Sequence, residues 1–317
     1  MVSIVILTRN RAALLEQALR SALAQTLQPI EIIVVDNAST DGTRELVARY
    51  AKNDSRIRYH LFAAPGQICA ARNAGAQMAS GAYVAFLDDD DWWQPNKLER
   101  QVTLLEQHPE AALVYAWARM VDASGQFLGL MPPQPSANTY RELCEADFIG
   151  GVSVALMRTQ TFLQAGGFRP SMAGAEDYDL WIRLSRRGRI MAVEEPLIIH
   201  LRQPRSFSRD HLRSALAHSQ ALLQADPSMG EGVTRSWLRK RAATLRYSAA
   251  SHMMEQRQFV RAAATFLHAL WLHPCVGLSV SWSKHPGLAY RVLKPVMAAG
   301  YCLVRGCVSS MPERIVR

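Results

Sequence analysis

VSIVILTRNRAALLEQALRSALAQTLQPIEIIVVDNASTDGT, residues 2–43, alternates between two hydrophobic periods. SIVILT (3–8) is short, apolar and β-branched, as a buried strand requires. The stretch 11–25 then places Leu14, Leu15, Ala18, Leu19 and Ala22 at helical spacing. IEIIVVD (30–36) is a second strand, and 39–51 a second helix entered through Ser39, Thr40 and Asp41, whose short polar side chains suit a helix start. Outward from this unit, IRYHLF (57–62), GQICAARNAGAQMA (66–79) and AYVAFLD (82–88) repeat strand, helix, strand. Near-continuous apolar strands alternating with helices predict an α/β fold, a mainly parallel sheet covered by helices on both faces.

In such sheets ligands bind beyond the carboxyl ends of the strands. Three strands end in polar residues, Thr8-Arg9-Asn10, Asp36-Asn37 and Asp88 to Asp91, and these ends are predicted to converge on one pocket. No G-x-G-x-x-G follows the first strand and no G-x-x-x-x-G-K-[ST] occurs, so neither dinucleotide binding of the usual sort nor a P-loop is supported. Carboxylates at strand ends suit a ligand with hydroxyls, base edges or a bound cation. In FLDDDD (86–91), a continuing strand would put Asp88 and Asp90 on one side and Asp89 on the other. Two converging carboxylates repel unless a cation lies between them, and Mg²⁺ or Mn²⁺ takes such oxygens together with substrate phosphates. The residues alone leave a second reading open. An aspartate here, Asp91 above all, would cap the helix NKLERQVTLLEQ (96–107), with Pro95 near its first turn.

Beyond residue 110 the pattern is mixed. Residues 111–129 read as a hairpin turning at Asp122 to Gly125, followed by a proline-rich loop. GGVSVALM (150–157) reads as a strand, 158–168 as a short helix closed by Gly166-Gly167, 175–188 as a helix and EPLIIHL (195–201) as a strand. From about 208 the chain reads as helices. Residues 262–283 lack Lys, Arg, Asp and Glu, but His268, His273, Pro274 and several serines favour a packed or membrane-surface helix over a spanning one.

Charge divides along the same line. Residues 201–317 hold 17 Lys and Arg against 5 Asp and Glu, a balance of +12, whereas the first 200 residues balance at −3. A basic C-terminal region suits an anionic surface, a membrane face or a nucleic acid, or is simply a solvated helical face. The five cysteines are scattered and odd in number, which points to reduced thiols in a cytoplasmic setting. The N-terminal apolar run is too short for a signal peptide and has no basic segment before it.

Taken in order, residues 2–43, GQICAARNAGAQMASGAYVAFLDDDDWWQPNKLERQ (66–101) and GGFRPSMAGAEDYDLWIRLSRRG (166–188) resemble family 2 glycosyltransferases over about residues 2–208. The resemblance implies a Rossmann-like GT-A domain, 1–207, with a nucleotide-sugar half (1–121) and an acceptor half (122–207), then a basic helical region (208–317). It implies an inverting, metal-dependent sugar transfer from a nucleotide-diphosphate sugar, UDP-type favoured, to a saccharide or lipid-linked acceptor in cell-surface polysaccharide or glycolipid assembly. Thr8 and Arg9 would line the nucleotide pocket, Asp36 would bond the base, usually a uracil, and Arg72 would approach the nucleotide or its phosphates. Asp88 and Asp90 would hold Mg²⁺ or Mn²⁺, with Asp90 the direct ligand, and Asp89 would contact ribose or sugar. Asp177 matches the family's catalytic base, with Glu176 and Trp92 as acceptor or supporting contacts. Inversion places base and metal on opposite sides of the sugar, so they should come from distant parts of the chain.

One departure concerns the third metal ligand. The family often carries a histidine after its last core strand; in IIHLRQPRSFS (198–208) Gln203 stands there and His200 lies three residues earlier. The third ligand is then His200, Gln203 or none, with Arg202 and Arg205 available to neutralise the diphosphate. Two other classes remain in competition. Nucleotidyl transfer predicts a glycine-rich loop and a lysine near the first strand, and ILTRNRAAL (6–14) has neither. A non-catalytic nucleotide-sugar or nucleic-acid binder would be indifferent to Asp177; no nucleic acid is expected, and the chain is placed in the cytoplasm, at most peripheral on the inner membrane face.

Overall fold

The computed structural model describes residues 1–131, 139–202 and 211–273. The expected proline-rich loop (132–138), Gln203, Arg205 and the apolar stretch from 274 lie outside the described residues. Two compact units are present, Met1–Arg209 with Met229–Gly232, and Asp210–Ser228 with the chain from Val233.

The first unit is built on the predicted βαβ repeat. Strands β1 (Val2–Thr8), β2 (Ile30–Asp36), β3 (Ile57–Leu61) and β4 (Tyr83–Asp88) are parallel, in the order β3-β2-β1-β4. Every residue of β2 is buried, as a strand covered on both faces must be. Helices α1 (Ala12–Leu23), α2 (Thr43–Asn53) and α3 (Ile68–Gln77) make the crossovers. Asp41 serves two of them: its Oδ1 accepts from Thr43 N at 3.1 Å and its Oδ2 from Ala12 N at 3.1 Å, satisfying a first-turn amide of α2 and of α1. α3 lies close on the sheet because Gly75 has no side chain; a Cβ there would meet Val5 Cγ1 at 2.5 Å and Val35 Cγ2 at 2.8 Å.

The sheet continues as β4-β8-β6-β9-β5, and this half is mixed. β8 (Ala155–Arg158) runs antiparallel to both β4 and β6 (Ala111–Val121), β6 runs parallel to β9 (Arg189–Leu201), and β5 (Asp91–Trp93) is antiparallel to β9. The hairpin turning at Asp122 to Gly125 is present, with β7 (Phe127–Met131) paired to β6. Two expectations change. The strand read over 150–157 is a 3-10 turn at Val152–Val154 followed by the shorter β8. The last strand begins at Arg189 instead of residue 195: the apolar run Ile190 to Val193 already pairs with β6, and the strand continues through Glu194, Glu195 and Pro196. α4 (Lys97–Gln107), α5 (Thr139–Glu145), α6 (Thr159–Gln164) and α7 (Glu176–Leu184) complete this unit among the described residues.

The second unit contains α8 (His211–Gln224), α9 (Arg235–Glu255) and α10 (Phe259–Leu272). Its core includes Leu212, Ala249, Met253 and Ala262, with Tyr247 and Phe266 edge to face at 5.0 Å. No helix of the described residues is long and apolar enough to cross a membrane. Cys69 and Cys144 are buried free thiols.

Candidate active site

Parallel register brings the polar strand ends together. Thr8 pairs with Asp36 across β1 and β2, and Leu7 pairs with Asp88 across β1 and β4. Asp36 is 1% exposed; its Oδ1 accepts from Ser39 N at 2.8 Å and its Oδ2 from Tyr59 Oη at 2.8 Å. Burial and this carboxylate push the Tyr59 hydroxyl up to about 12, so it stays a donor at neutral pH. Next to it, Asn37 Oδ1 is a buried acceptor without a partner among the described residues. Arg9 is exposed beside this group.

The acidic stretch ends one strand and starts another. β4 stops at Asp88, Asp89 and Asp90 form a turn, and Asp91 opens β5. The expected alternation survives in burial: Asp89 and Asp91 are buried at 5% and 3% exposure, while Asp88 and Asp90 are partly exposed. Asp89 accepts from Thr8 Oγ1 at 2.8 Å and from Arg11 Nη1 at 3.0 Å. The same Arg11 nitrogen reaches Asp90 Oδ2 at 3.1 Å. Asp91 does not cap α4, as one reading had it; its Oδ1 lies 2.8 Å from His200 Nδ1, because antiparallel pairing sets these two residues opposite each other. Trp93 is core, donating its indole N–H to Ser153 O, and Trp92 is half-buried on the same strand.

Electrostatics separate the members. Burial, then the carboxylates of Asp88, Asp91 and Asp89, push Asp90 up to about 7 against the pull of Arg11. Burial raises Asp89, with Arg11 and Thr8 opposing. The Asp91 hydrogen bond holds the His200 imidazole up at about 9, against burial, so it is a cation at neutral pH.

Arg72 joins this turn to a remote acidic pair. Its Nη2 donates to Asp88 Oδ1 at 2.6 Å and its Nη1 to Glu176 Oε1 at 2.9 Å. Burial disfavours its charge, but Asp88 and Glu176 outweigh this and hold its pKa above the ordinary value. Glu176 Oε2 accepts from Gly174 N, and Asp177 follows it at the start of α7, partly exposed, with Oδ1 taking Tyr178 N at 2.8 Å. Asn73 grips the adjoining loop through Phe168 O and Phe168 N at 2.8 and 2.9 Å. Sequence reasoning missed Arg11 and Asn73. Arg11 looks like one more solvated cation at a helix start, and only its place after the first strand, where ligands bind, could have marked it.

Among the described residues no ready group of three His, Cys, Asp or Glu side chains could hold a metal. Asp88 and Asp90 are partly exposed oxygen donors, of the kind that Mg²⁺ and Mn²⁺ take together with a ligand's phosphates.

A family model described as glycosyl transferase family 2 matches residues 3–160. A putative teichuronic acid biosynthesis glycosyltransferase of Bacillus subtilis, TuaG, is 31% identical over 189 residues, 59% of this chain and 73% of that protein. The chain belongs to glycosyl transferase family 2. It is also similar to the Escherichia coli UDP-Glc:alpha-D-GlcNAc-diphosphoundecaprenol beta-1,3-glucosyltransferase WfgD, 30% identical over 196 residues that make 61% of this chain and 73% of that protein. Some relatives are longer; of an uncharacterized glycosyltransferase of Rickettsia bellii the chain spans 28%. The fold of this transferase is the GT-A fold of solved relatives. S. aureus TarS 1-349 superposes with a TM-score of 0.64 at 18% identity, covering 98% of this chain and 93% of that one. The mannosyltransferase PcManGT of Pyrobaculum calidifontis, in complex with GDP-Man and Mn²⁺, gives 0.59 at 18% identity, covering 98% and 88%.

Proposed function

We propose that this glycosyltransferase moves a sugar, with inversion, from a UDP-type nucleotide sugar to a hydroxyl of a saccharide or lipid-linked acceptor in cell-surface polysaccharide or glycolipid assembly. The observation that carries the reading is the meeting, through Arg72, of the acidic turn on β4 with the Glu176-Asp177 pair on α7, 104 residues from Arg72 to Glu176. A carboxylate for the acceptor proton and carboxylates for the cation that meets the leaving group come from distant chain segments, which suits groups that must act on opposite faces of the sugar.

In this reading residues 1–207 form the transferase domain, 1–121 its nucleotide-sugar half and 122–207 its acceptor half, with 208–317 a basic helical region. Asp36 and Asn37, with Thr8 and Arg9, receive the nucleoside; the orphan Asn37 acceptor is a group that a base donor would satisfy. Asp89 orients ribose or sugar. Asp88 and Asp90 hold Mg²⁺ or Mn²⁺, which when bound neutralises the departing diphosphate. Asp177 takes the proton of the attacking hydroxyl, and Trp92 lines the acceptor side. Named relatives support the donor and acceptor classes: WfgD is a UDP-Glc glucosyltransferase acting on alpha-D-GlcNAc-diphosphoundecaprenol, and TarS was solved with UDP-GlcNAc. The basic helical region supports peripheral contact with a membrane face.

The test is a panel of UDP-, GDP- and TDP-sugars assayed for Mn²⁺-dependent thermal stabilisation, followed by hydrolysis and transfer with wild type and Asp177→Asn. Asp177→Asn is expected to keep the stabilisation and to lose about 10²–10⁴-fold in turnover. Stabilisation by no nucleotide sugar would end the donor assignment, and normal turnover by Asp177→Asn would put the base elsewhere.

A further inference from the structure

Arg72 lies mid-way along α3 at 8% exposure, with both arms of its guanidinium engaged and its Cζ 5.6 Å from the Phe168 ring centroid. A buried guanidinium is costly unless paired and hydrogen-bonded, and its two partners come from different elements, Asp88 at the end of β4 and Glu176 at the start of α7. A lysine ammonium is a compact point charge and does not fork to two carboxylates in this way. The next residue, Asn73, holds Phe168 by a reciprocal pair of hydrogen bonds. Gly167 is fitted to that grip: it has φ 61°, and a Cβ there would meet Asn73 Oδ1 at 2.6 Å. Two residues beyond Asn73, Gly75 seats α3 directly on Val5 and Val35. α3 is thus anchored to the sheet and grips the 167–176 segment at two points.

The start of α7 is tied to that grip. Its N-cap residue is Ala175, which offers no side-chain acceptor, and its first residue, Glu176, bonds Gly174 N with one oxygen and Arg72 with the other.

We propose that Arg72 is a positioning residue, a strut that fixes the distance between the acidic turn 88–90 and the helix start bearing Asp177, and not a nucleotide contact. The catalytic meaning of that distance rests on the function proposed above; the mechanical coupling does not. A displacement of about 1 Å between reacting groups costs on the order of 10²-fold in rate, so one strut between the two halves has a use that neither half alone explains.

Hydrogen exchange on the metal-free full chain tests the coupling, with Arg72→Lys, Glu176→Gln and the double variant. Glu176→Gln, close to isosteric, is expected to speed exchange at 174–179 and also at 87–91, a segment it reaches through Arg72, by roughly tenfold. Arg72→Lys is expected to do the same at both ends, and the double variant no more than Arg72→Lys alone. Exchange confined to 174–179 in Glu176→Gln, or additive effects in the double variant, would overturn the strut. UDP binding in Mn²⁺, measured by calorimetry, is expected to weaken in Arg72→Lys and Glu176→Gln by factors within about threefold of each other, because both variants loosen the same turn. A loss above about tenfold with exchange unchanged would make Arg72 a nucleotide contact and likewise overturn it. Failure of wild type to bind UDP would sink the nucleotide reading and leave the exchange result standing.

Discussion

His200 shows how a buried carboxylate recruits a base. Paired with Asp91 at 2.8 Å, its imidazole is held up at about 9, whereas in the unfolded chain it titrates near its ordinary value of 6.5. The folded state then binds more protons than the unfolded state between those pH values, so the pair contributes fully below pH 6.5 and its contribution is lost as pH rises through about 9. His200→Gln is expected to cost about 1 kcal/mol at pH 6, a figure reduced for the third of the imidazole that faces solvent. Urea denaturation in EDTA at stepped pH reads this directly. The gap to wild type should close by about pH 10; a gap that stays constant would mean that the pair is not ionic. The pairing was hidden in the sequence because β5 has only three residues, too few to display a strand period, and its register against β9 is a long-range fact.

At the scale of elements, α4 departs furthest from its own pattern. Its inward face carries Leu98 and Leu105, as an amphipathic helix should, but also Lys97 and Gln101, both 0% exposed. Lys97 Nζ has no hydrogen-bond partner among the described residues and lies 3.8 Å from the Trp93 ring centroid. Burial drives its pKa well below the ordinary 10.5. Between that lowered pKa and 10.5 the unfolded chain binds the extra proton, so wild-type stability rises with pH across this window. Lys97→Met keeps the bulk against Trp93 and is expected to stabilise the fold by about 1–2 kcal/mol at pH 7, the difference shrinking towards pH 10. Loss of stability in that variant would show that the amine has a bonding role.

The βαβ core was legible because strands buried on both faces read as unbroken apolar runs, and because polar residues at their carboxyl ends have one place to go. The antiparallel insertion of β8 between β4 and β6 was not legible: nothing in ALMR states its neighbours. Asp36 and the acidic turn announced themselves by charge beside apolar strands. Arg11 and the double engagement of Arg72 did not, since an arginine on a helix carries no mark of the carboxylate it meets.

Over the whole molecule, charge is the clearest asymmetry, +12 after residue 200 against −3 before it. Basic surface is attracted to anionic lipid within a Debye length, about 8 Å at 0.15 M salt. The full chain is expected to sediment with vesicles containing phosphatidylglycerol, not with phosphatidylcholine alone, and to be released as salt is raised. Equal retention on both lipids would assign the basic helices a role away from membranes.

The acidic turn has a consequence for how the protein is made. Asp88 meets Arg72, Asp89 and Asp90 meet Arg11, and Asp91 meets His200, so each of the four carboxylates has a cation supplied by the chain itself. Small metallo-domains that lack such internal partners fold only when their ion arrives. Here the chain can close around its own charges as it leaves the ribosome, so under the metal role proposed above, withdrawal of manganese or magnesium is expected to slow the finished protein without lowering its yield.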